Sequence, residues 1–390
     1  MICDYLIIGA GLSGLVMAEQ LSAVGAACVL VDRRPHVGGN CHDRVDANGL
    51  LYHPYGPHYF HTDSQAVVRY LSRFTAWRQA HYRVRALARG RLWTFPINLT
   101  TYEETIGRPS TEKEFESFLR SHACARAPEN SKEAIVSTVG PDFYNLFFRD
   151  YTQKQWGRPA EGLDASVCRR VAIRTNRDDR YFSDHFQAMP TKGYTAMCEN
   201  ILAACPGLDV RLNIPFEEAR GRFPHRHLIF TGPLDAYFEL RFGKLPFRSL
   251  RLELEEKGPD QLNPDGFAQA VLQINYTGTE PFTRTTEIKH VTGQVARYSN
   301  LVREFPADYV PGKTEPYYPI PSPDVERRAV RYRRAAARRP GVTFLGRLGT
   351  YRYLNMDEVV FAALQEAQHL KQAHGWCNGE FTPARLFAER

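Results

Sequence analysis

Read for apolar spacing, the chain opens on Tyr5-Leu6-Ile7-Ile8, a continuous apolar run suited to a buried parallel strand. A helix-like stretch follows, and a second apolar run, Cys28-Val29-Leu30-Val31, ends at Asp32. Gly49 to Thr62 is rich in aromatics, His, Gly and Pro and cannot be a regular helix. Ser64 to Phe74 has helical spacing, with Val67, Val68, Leu71 and Phe74 on one face. Tyr82 to Leu87 and Leu92 to Ile97 read as two strands joined at Ala88 to Arg91. Thr111-x-x-Glu114 predicts a capping box opening a helix through about Ala123. Ser131 to Val139 continues helical, and Pro141 starts another helix with Phe143, Tyr144, Phe147, Phe148 and Tyr151 on one aromatic stripe.

The second half changes period. Leu228 to Thr231 is a short strand. Leu250 to Glu255, Ala268 to Tyr276, Phe282 to Val291 and Asn300 to Phe305 alternate like strands of an antiparallel sheet. Val342 to Leu345 is again a short apolar strand, and a helix is predicted from about Met356 to Ala373. The expected class is α/β. One dinucleotide-binding domain is assembled from 1–75, 190–245 and 325–374. A helical insertion covers 98–160, an antiparallel sheet and substrate domain covers 76–97, 161–189 and 246–324, and 375–390 is a tail.

Chemistry enters at the end of the first strand, which runs directly into Gly9-x-Gly11-x-Ser13-Gly14. Gly9 permits the tight turn, Gly11 lets backbone approach a pyrophosphate, and Gly14 lets the helix pack on the strand. The helix N-terminus offers free N–H groups to the phosphates. Asp32 stands where it accepts hydrogen bonds from ribose hydroxyls and would repel a 2′-phosphate. The continuation Asp32-Arg33-Arg34-Pro35-x-x-Gly38-Gly39-Asn40 resembles the extended signature of FAD enzymes related to glutathione reductase and the amine oxidases. FAD is therefore the expected dinucleotide, in a Rossmann-like domain of that type.

Composition narrows the class further. With 43% hydrophobic and 24% charged residues, the chain reads as a soluble globular protein. No apolar run approaches the roughly 20 residues of a membrane helix, and the immediate first strand leaves no room for a signal peptide. The eight cysteines show no CxxC or Cys/His zinc spacing, so a reducing cytoplasm is the expected setting. No metal site is expected, His53, His58 and His61 lacking carboxylate company. The net charge of +7 is mostly arginine, spread along the chain without a nucleic-acid-binding module. Arg327 to Arg339 reads as a solvated helical face.

Six further motifs occur in order: GPHYFHT (Gly56–Thr62), FPINL (Phe95–Leu99), YTQKQWG (Tyr151–Gly157), RTNRDDRYF (Arg174–Phe182), YYPIP (Tyr317–Pro321) and GRLGTYRYLNMD (Gly346–Asp357). With the glycine fingerprint they closely resemble the bacterial UDP-galactopyranose mutases, from about residue 3 to about 372. The resemblance implies a flavin-dependent ring contraction of UDP-galactopyranose to the furanose without net redox change. Reduced FAD attacks the anomeric carbon through N5, UDP leaves, the adduct opens to an iminium, the C4 hydroxyl recloses on C1 to give the furanose, and UDP returns to release the flavin. It also implies reduction of the flavin by an external donor, NAD(P)H, and a homodimer.

The resemblance assigns residues as well. Arg170 and Arg284 match the diphosphate-binding arginines, Arg170 in a mobile loop, and Tyr318 and Tyr353 match tyrosines on the same phosphates. Tyr151 and Trp156 match the uridine pocket, with Phe147, Thr152 and Tyr181 beside them and Phe182 and Asn275 also on the substrate side. By periodicity alone Phe147 and Tyr151 are simply core. His61 matches a histidine close to the flavin. Arg347 and Gly346 match the FAD diphosphate site, and His58, Arg248 and Met356 are further cofactor candidates, with Arg33, Gly39 and Asn40. Asn355 stands where many relatives carry Asp, Tyr59 where an aliphatic residue is usual, and Cys41-His42 where Ala-Tyr is common. These departures leave open a mutase for UDP-N-acetylgalactosamine or a dTDP-deoxysugar. An amine-oxidase-like flavoenzyme and a non-catalytic nucleotide-sugar binder remain the rivals.

Overall fold

The computed structural model describes residues 2–124, 126–168, 171–320, 322–373 and 375. Its first strand β1 (Cys3–Ile8) and second strand β2 (Cys28–Val31) are joined by helix α1 (Leu12–Ser22) and pair in parallel. The five-stranded sheet runs Asp209–Arg211, β2, β1, His225–Phe230, Val342–Phe344, every pairing parallel. This is the doubly wound order, with the fingerprint loop at the carboxyl edge of β1. Helix α1 is buried on nearly every side, which is why it is apolar all round rather than amphipathic. The C-terminal helix Met356–Ala373 packs on α1.

The larger sheet has seven strands. Its order is Tyr318–Pro319, Phe247–Lys257, β5 (Ser299–Asp308), β4 (Arg284–Thr286), β3 (Gln273–Tyr276), Val84–Ala88 and Arg91–Phe95. It is antiparallel except that β3 pairs in parallel with Val84–Ala88. A smaller sheet joins Phe60–Thr62 and Trp77–Gln79 to Phe186–Pro190.

Two expected strands are shorter than their sequence pattern. Ala268 to Tyr276 forms strand only over Gln273–Tyr276, and Phe282 to Val291 only over Arg284–Thr286, before a helical turn at Lys289–Thr292. The cause is Glu287. Its buried carboxylate accepts the backbone N–H groups of Ala268 (3.0 Å) and Gln269 (2.9 Å), taking the place of a ladder, and also the Ser299 hydroxyl. Lys289 donates to the carbonyls of Gly266, Ala296 and Tyr298 beside it.

The helices between 99 and 143 are capped by side chains at their N-termini. Thr111 accepts from Glu114 N (3.2 Å), one half of the expected capping box, while Asn98, which the sequence reading did not single out, forms a full capping box with Thr101. The helix Ser131–Phe143 breaks at Gly140 just before Pro141. The chain then makes a π-type turn over Tyr144–Phe148 and enters α2 (Arg149–Trp156). The wide turn shifts the phase of the aromatic stripe. Phe147 faces inward onto Trp93 and Phe95, while Trp156 stays half-buried at the helix end. Among the described residues, no helix is long and apolar enough to cross a membrane.

Candidate active site

The nucleotide end is built by glycines that admit no side chain. Gly9 sits at φ +104°, and a Cβ on it would lie 2.0 Å from Thr231 Oγ1; one on Gly14 would lie 1.8 Å from the Gly9 carbonyl. Gly11 and Gly39 face one another, so a Cβ on Gly39 would come within 2.9 Å of the Gly11 Cα. The two halves of the signature, some thirty residues apart, are thus pressed together as one cradle. Ser13 meets Gly346, start of the short helix Gly346–Thr350, with its hydroxyl oxygen 2.9 Å from where a Cβ would stand.

Asp32 is buried and already holds the loop: Oδ2 accepts from Ala10 N (2.7 Å) and Oδ1 from Arg34 N (2.8 Å). A carboxylate has lone pairs to spare for a ribose diol after both bonds. Arg34 donates to Asn40 Oδ1 (2.8 Å) and, with Arg33, pairs with Glu315. Cys41 bonds the Gly38 carbonyl at 2.9 Å, and His42 stacks on His36 at 3.7 Å, so this pair braces the cradle from behind. Cradle, acid and helix end suit a dinucleotide diphosphate, which is the fit FAD requires.

Around the expected flavin position, His61 Nδ1 lies 2.9 Å from Asp184 Oδ2 and its ring stacks on Phe182 at 3.6 Å. Phe182 stacks in turn on Tyr59. The His58 ring bonds the Gly56 carbonyl (2.8 Å), and burial pushes its pKa down to about 4. Met356 opens the C-terminal helix and packs on the main core. Asn355 occupies the N-cap position of that helix: its carbonyl accepts from Val359 N (3.1 Å) and its N–H donates to Glu358 Oε2 (2.6 Å). Behind it, Asp357 accepts from Thr62 Oγ1 at 2.8 Å, and burial raises its pKa.

The residues expected to bind substrate gather where α2 meets the seven-stranded sheet. Arg284 on β4 directly opposes Glu304 on β5, with Nε 2.7 Å from a fully buried carboxylate oxygen. Its Nη2 lies 3.4 Å from the Tyr318 hydroxyl. Burial works against the charge on Arg284, but Glu304 and the surrounding Tyr151, Tyr318 and Tyr82 more than offset it, so the guanidinium stays cationic. Tyr318 stacks on Tyr353 at 5.8 Å and 13°, with Trp156 on its other side at 6.3 Å. Arg347 lies 4.8 Å from the Tyr353 ring centre and donates to the Leu354 and Tyr317 carbonyls. A cavity of about 350 Å³ opens beside Trp156 and Tyr353, with Val167, Glu326 and Arg352 in its wall.

Three neighbours here escaped the sequence reading. Glu304 carries the ion pair. Tyr82 donates to Gln273 Oε1, and Gln273 Nε2 donates to Asn275 Oδ1 (2.7 Å), beside Arg284 across the β3–β4 ladder. Their signal was polar residues at inward positions of apolar strands, with partners too distant in sequence to pair by eye. Tyr181 packs on Tyr82 and Phe182.

Other expected residues sit differently. Phe147 is only 2% exposed, in the aromatic core with Trp93, Phe95 and Phe143. Thr152 is buried against Cys168 Sγ. Arg248 donates to the Gln155 (3.0 Å) and Lys154 carbonyls and pairs with Asp308, capping the C-terminus of α2 with a cation. Arg170 lies outside the described residues. Among the described residues, no group of three His, Cys, Asp or Glu side chains is arranged to hold a metal.

A parallel nucleotide-binding sheet joined to a large, mostly antiparallel one defines a Rossmann-type protein of the flavin amine-oxidase architecture. Residues 7–74 match the model of the NAD(P)-binding Rossmann-like domain. A solved putrescine oxidase covers 96% of the chain (99% of its own) with a TM-score of 0.61 at 13% identity. A solved reduced UDP-galactopyranose mutase covers 99% (96% of its own) with a TM-score of 0.75 at 19% identity. Residues 146–353 match the UDP-galactopyranose mutase family model. A probable UDP-galactopyranose mutase of Klebsiella pneumoniae is 33% identical over 93% of this chain and 94% of its own. A dTDP-fucopyranose mutase of Escherichia coli is 32% identical over 93% and 97%. The chain belongs to the UDP-galactopyranose mutase family and is an isomerase; membership implies FAD.

Proposed function

We propose that this protein contracts the pyranose ring of UDP-galactopyranose to UDP-galactofuranose on FAD, in the cytoplasm and as a homodimer. FAD, reduced by NAD(P)H, would be held by Gly9, Gly11, Gly39, Asp32 and Arg347 and would supply a nucleophilic nitrogen for the anomeric carbon. The remaining work falls to the chain. Arg284, held cationic against Glu304, receives the negative charge that develops on the departing diphosphate, with Arg170 as its partner. Tyr318 and Tyr353 offer hydroxyls to the same phosphates. Trp156 and Tyr151 hold the base, and the aromatic wall around them keeps water from the opened sugar. His61 and Phe182 brace the flavin side.

The observation that carries this reading is the Arg284–Glu304–Tyr318 cluster beside Trp156. An oxidase has no use for a diphosphate anchor there. The test is to incubate the reduced protein with UDP-galactopyranose and read the product by NMR. Furanose without acceptor consumption is expected; stoichiometric acceptor reduction would refute the isomerase chemistry. A second substrate reading, a dTDP-linked deoxysugar, is favoured by Asn355 and by the near-equal identity to the fucopyranose mutase. Running both nucleotide sugars side by side decides between them.

A further inference from the structure

The YTQKQWG motif contains one cation, and its ammonium is spent on backbone carbonyls. The Lys154 ammonium donates to the carbonyls of Tyr276 (2.8 Å), Glu280 (3.1 Å) and Phe282 (3.3 Å). Three acceptors exhaust the donors of an ammonium. Tyr276 ends β3, and Glu280 and Phe282 lie in its connection to β4, Phe282 two residues before Arg284. The same turn is tied at its far side through Thr283, whose N–H donates to the Glu304 carbonyl (2.9 Å). Lys154 therefore bolts α2 to the turn that delivers Arg284. On the same helix Tyr151 stands three residues before Lys154 and Trp156 two residues after it.

We infer that Lys154 is a positioning residue that fixes the distance between the base platform on α2 and the diphosphate anchor Arg284 on β4. A nucleotide diphosphate must span both at once, so a fixed spacing raises its affinity without any contact to Lys154. A solvent-exposed lysine on α2 would leave the two elements free to drift. A carboxylate partner would neutralise the cation but would not tether the turn. Backbone carbonyls from three positions do tether it. The inference rests on the base and diphosphate assignments proposed above.

The test compares Lys154→Met and Arg284→Ala, singly and together, in the FAD-loaded protein, with UDP and uridine as the probes. Flavin occupancy and unfolding temperature are measured first. Lys154→Met is expected to weaken UDP by about tenfold while leaving uridine unchanged, and to add little to Arg284→Ala in the double variant. Lys154→Arg, which keeps several donors, is expected to recover part of the UDP affinity. Equal losses of UDP and uridine, or full additivity with Arg284→Ala, would overturn the inference and leave Lys154 as plain scaffolding. Should Lys154→Met fail to fold, Lys154→Gln carries the same cycle. If Arg284→Ala alone leaves UDP affinity unchanged, it is the diphosphate assignment that fails, not the tether.

Discussion

Arg284 owes its readiness to a carboxylate it never shares with solvent. Glu304 fixes one edge of the guanidinium, Tyr318 another, and the remaining donors stay available to a phosphate. Arg284→Ala should therefore lower turnover by on the order of a hundredfold or more with FAD still bound. Steady-state rates near those of the native protein would remove it from the mechanism. Trp156→Ala should weaken UDP by about 1–3 kcal/mol, the worth of a base on an aromatic face, and calorimetric titration reads this directly. At Asn355 the N-cap role is served equally by Asn and Asp, so Asn355→Asp should leave the fold intact. It should raise turnover of UDP-galactopyranose; a fall would indicate a pocket adapted to another sugar. The glycine fingerprint and Asp32 were legible because their constraints are local. Glu304 and Tyr82 were not, because each gains meaning only from strands that meet across a sheet.

Elements told the same story at greater length. The helix Met356–Ala373 runs where its 3.6-residue pattern places it, and Thr111 caps the helix it was expected to start. Patterns of this kind need only neighbours in sequence. The strand ends around Ala268 and Val291 were illegible for the opposite reason. Their alternation persists, but the buried Glu287 side chain replaces the ladder there. Likewise, nothing in the spacing announces that Gln273–Tyr276 pairs in parallel with a strand nearly two hundred residues earlier. Glu287→Ala would strand the N–H groups of Ala268 and Gln269 and the Ser299 hydroxyl. It should cost about 3 kcal/mol, measured as a lower urea midpoint with unchanged slope. An unmoved midpoint would mean that water replaces the carboxylate.

At the scale of the molecule, the buried His42 and His53 and the half-buried His58 set the acid limit. Burial pushes His53 down to about 3 and His42 and His58 down to about 4. Unfolding returns each to the ordinary value near 6.5. The unfolded chain thus binds more protons below that value, and stability is lost as pH falls from about 6.5 towards 4. Thermal unfolding across that window should show the decline. His53→Asn, which keeps an acceptor for His58 N, should make it shallower. A flat profile in the native protein would contradict the burial of these rings.

The parallel sheet takes its strands from the beginning, the middle and the far end of the polypeptide. During synthesis the glycine cradle leaves the ribosome well before its neighbours Thr231 and Gly346. A nascent chain therefore carries the glycine fingerprint without a finished pocket until Gly346 has emerged. Cofactor loading becomes a late event, and a truncated product would expose β1 and α1 as sticky, unsatisfied surface rather than as a small flavoprotein.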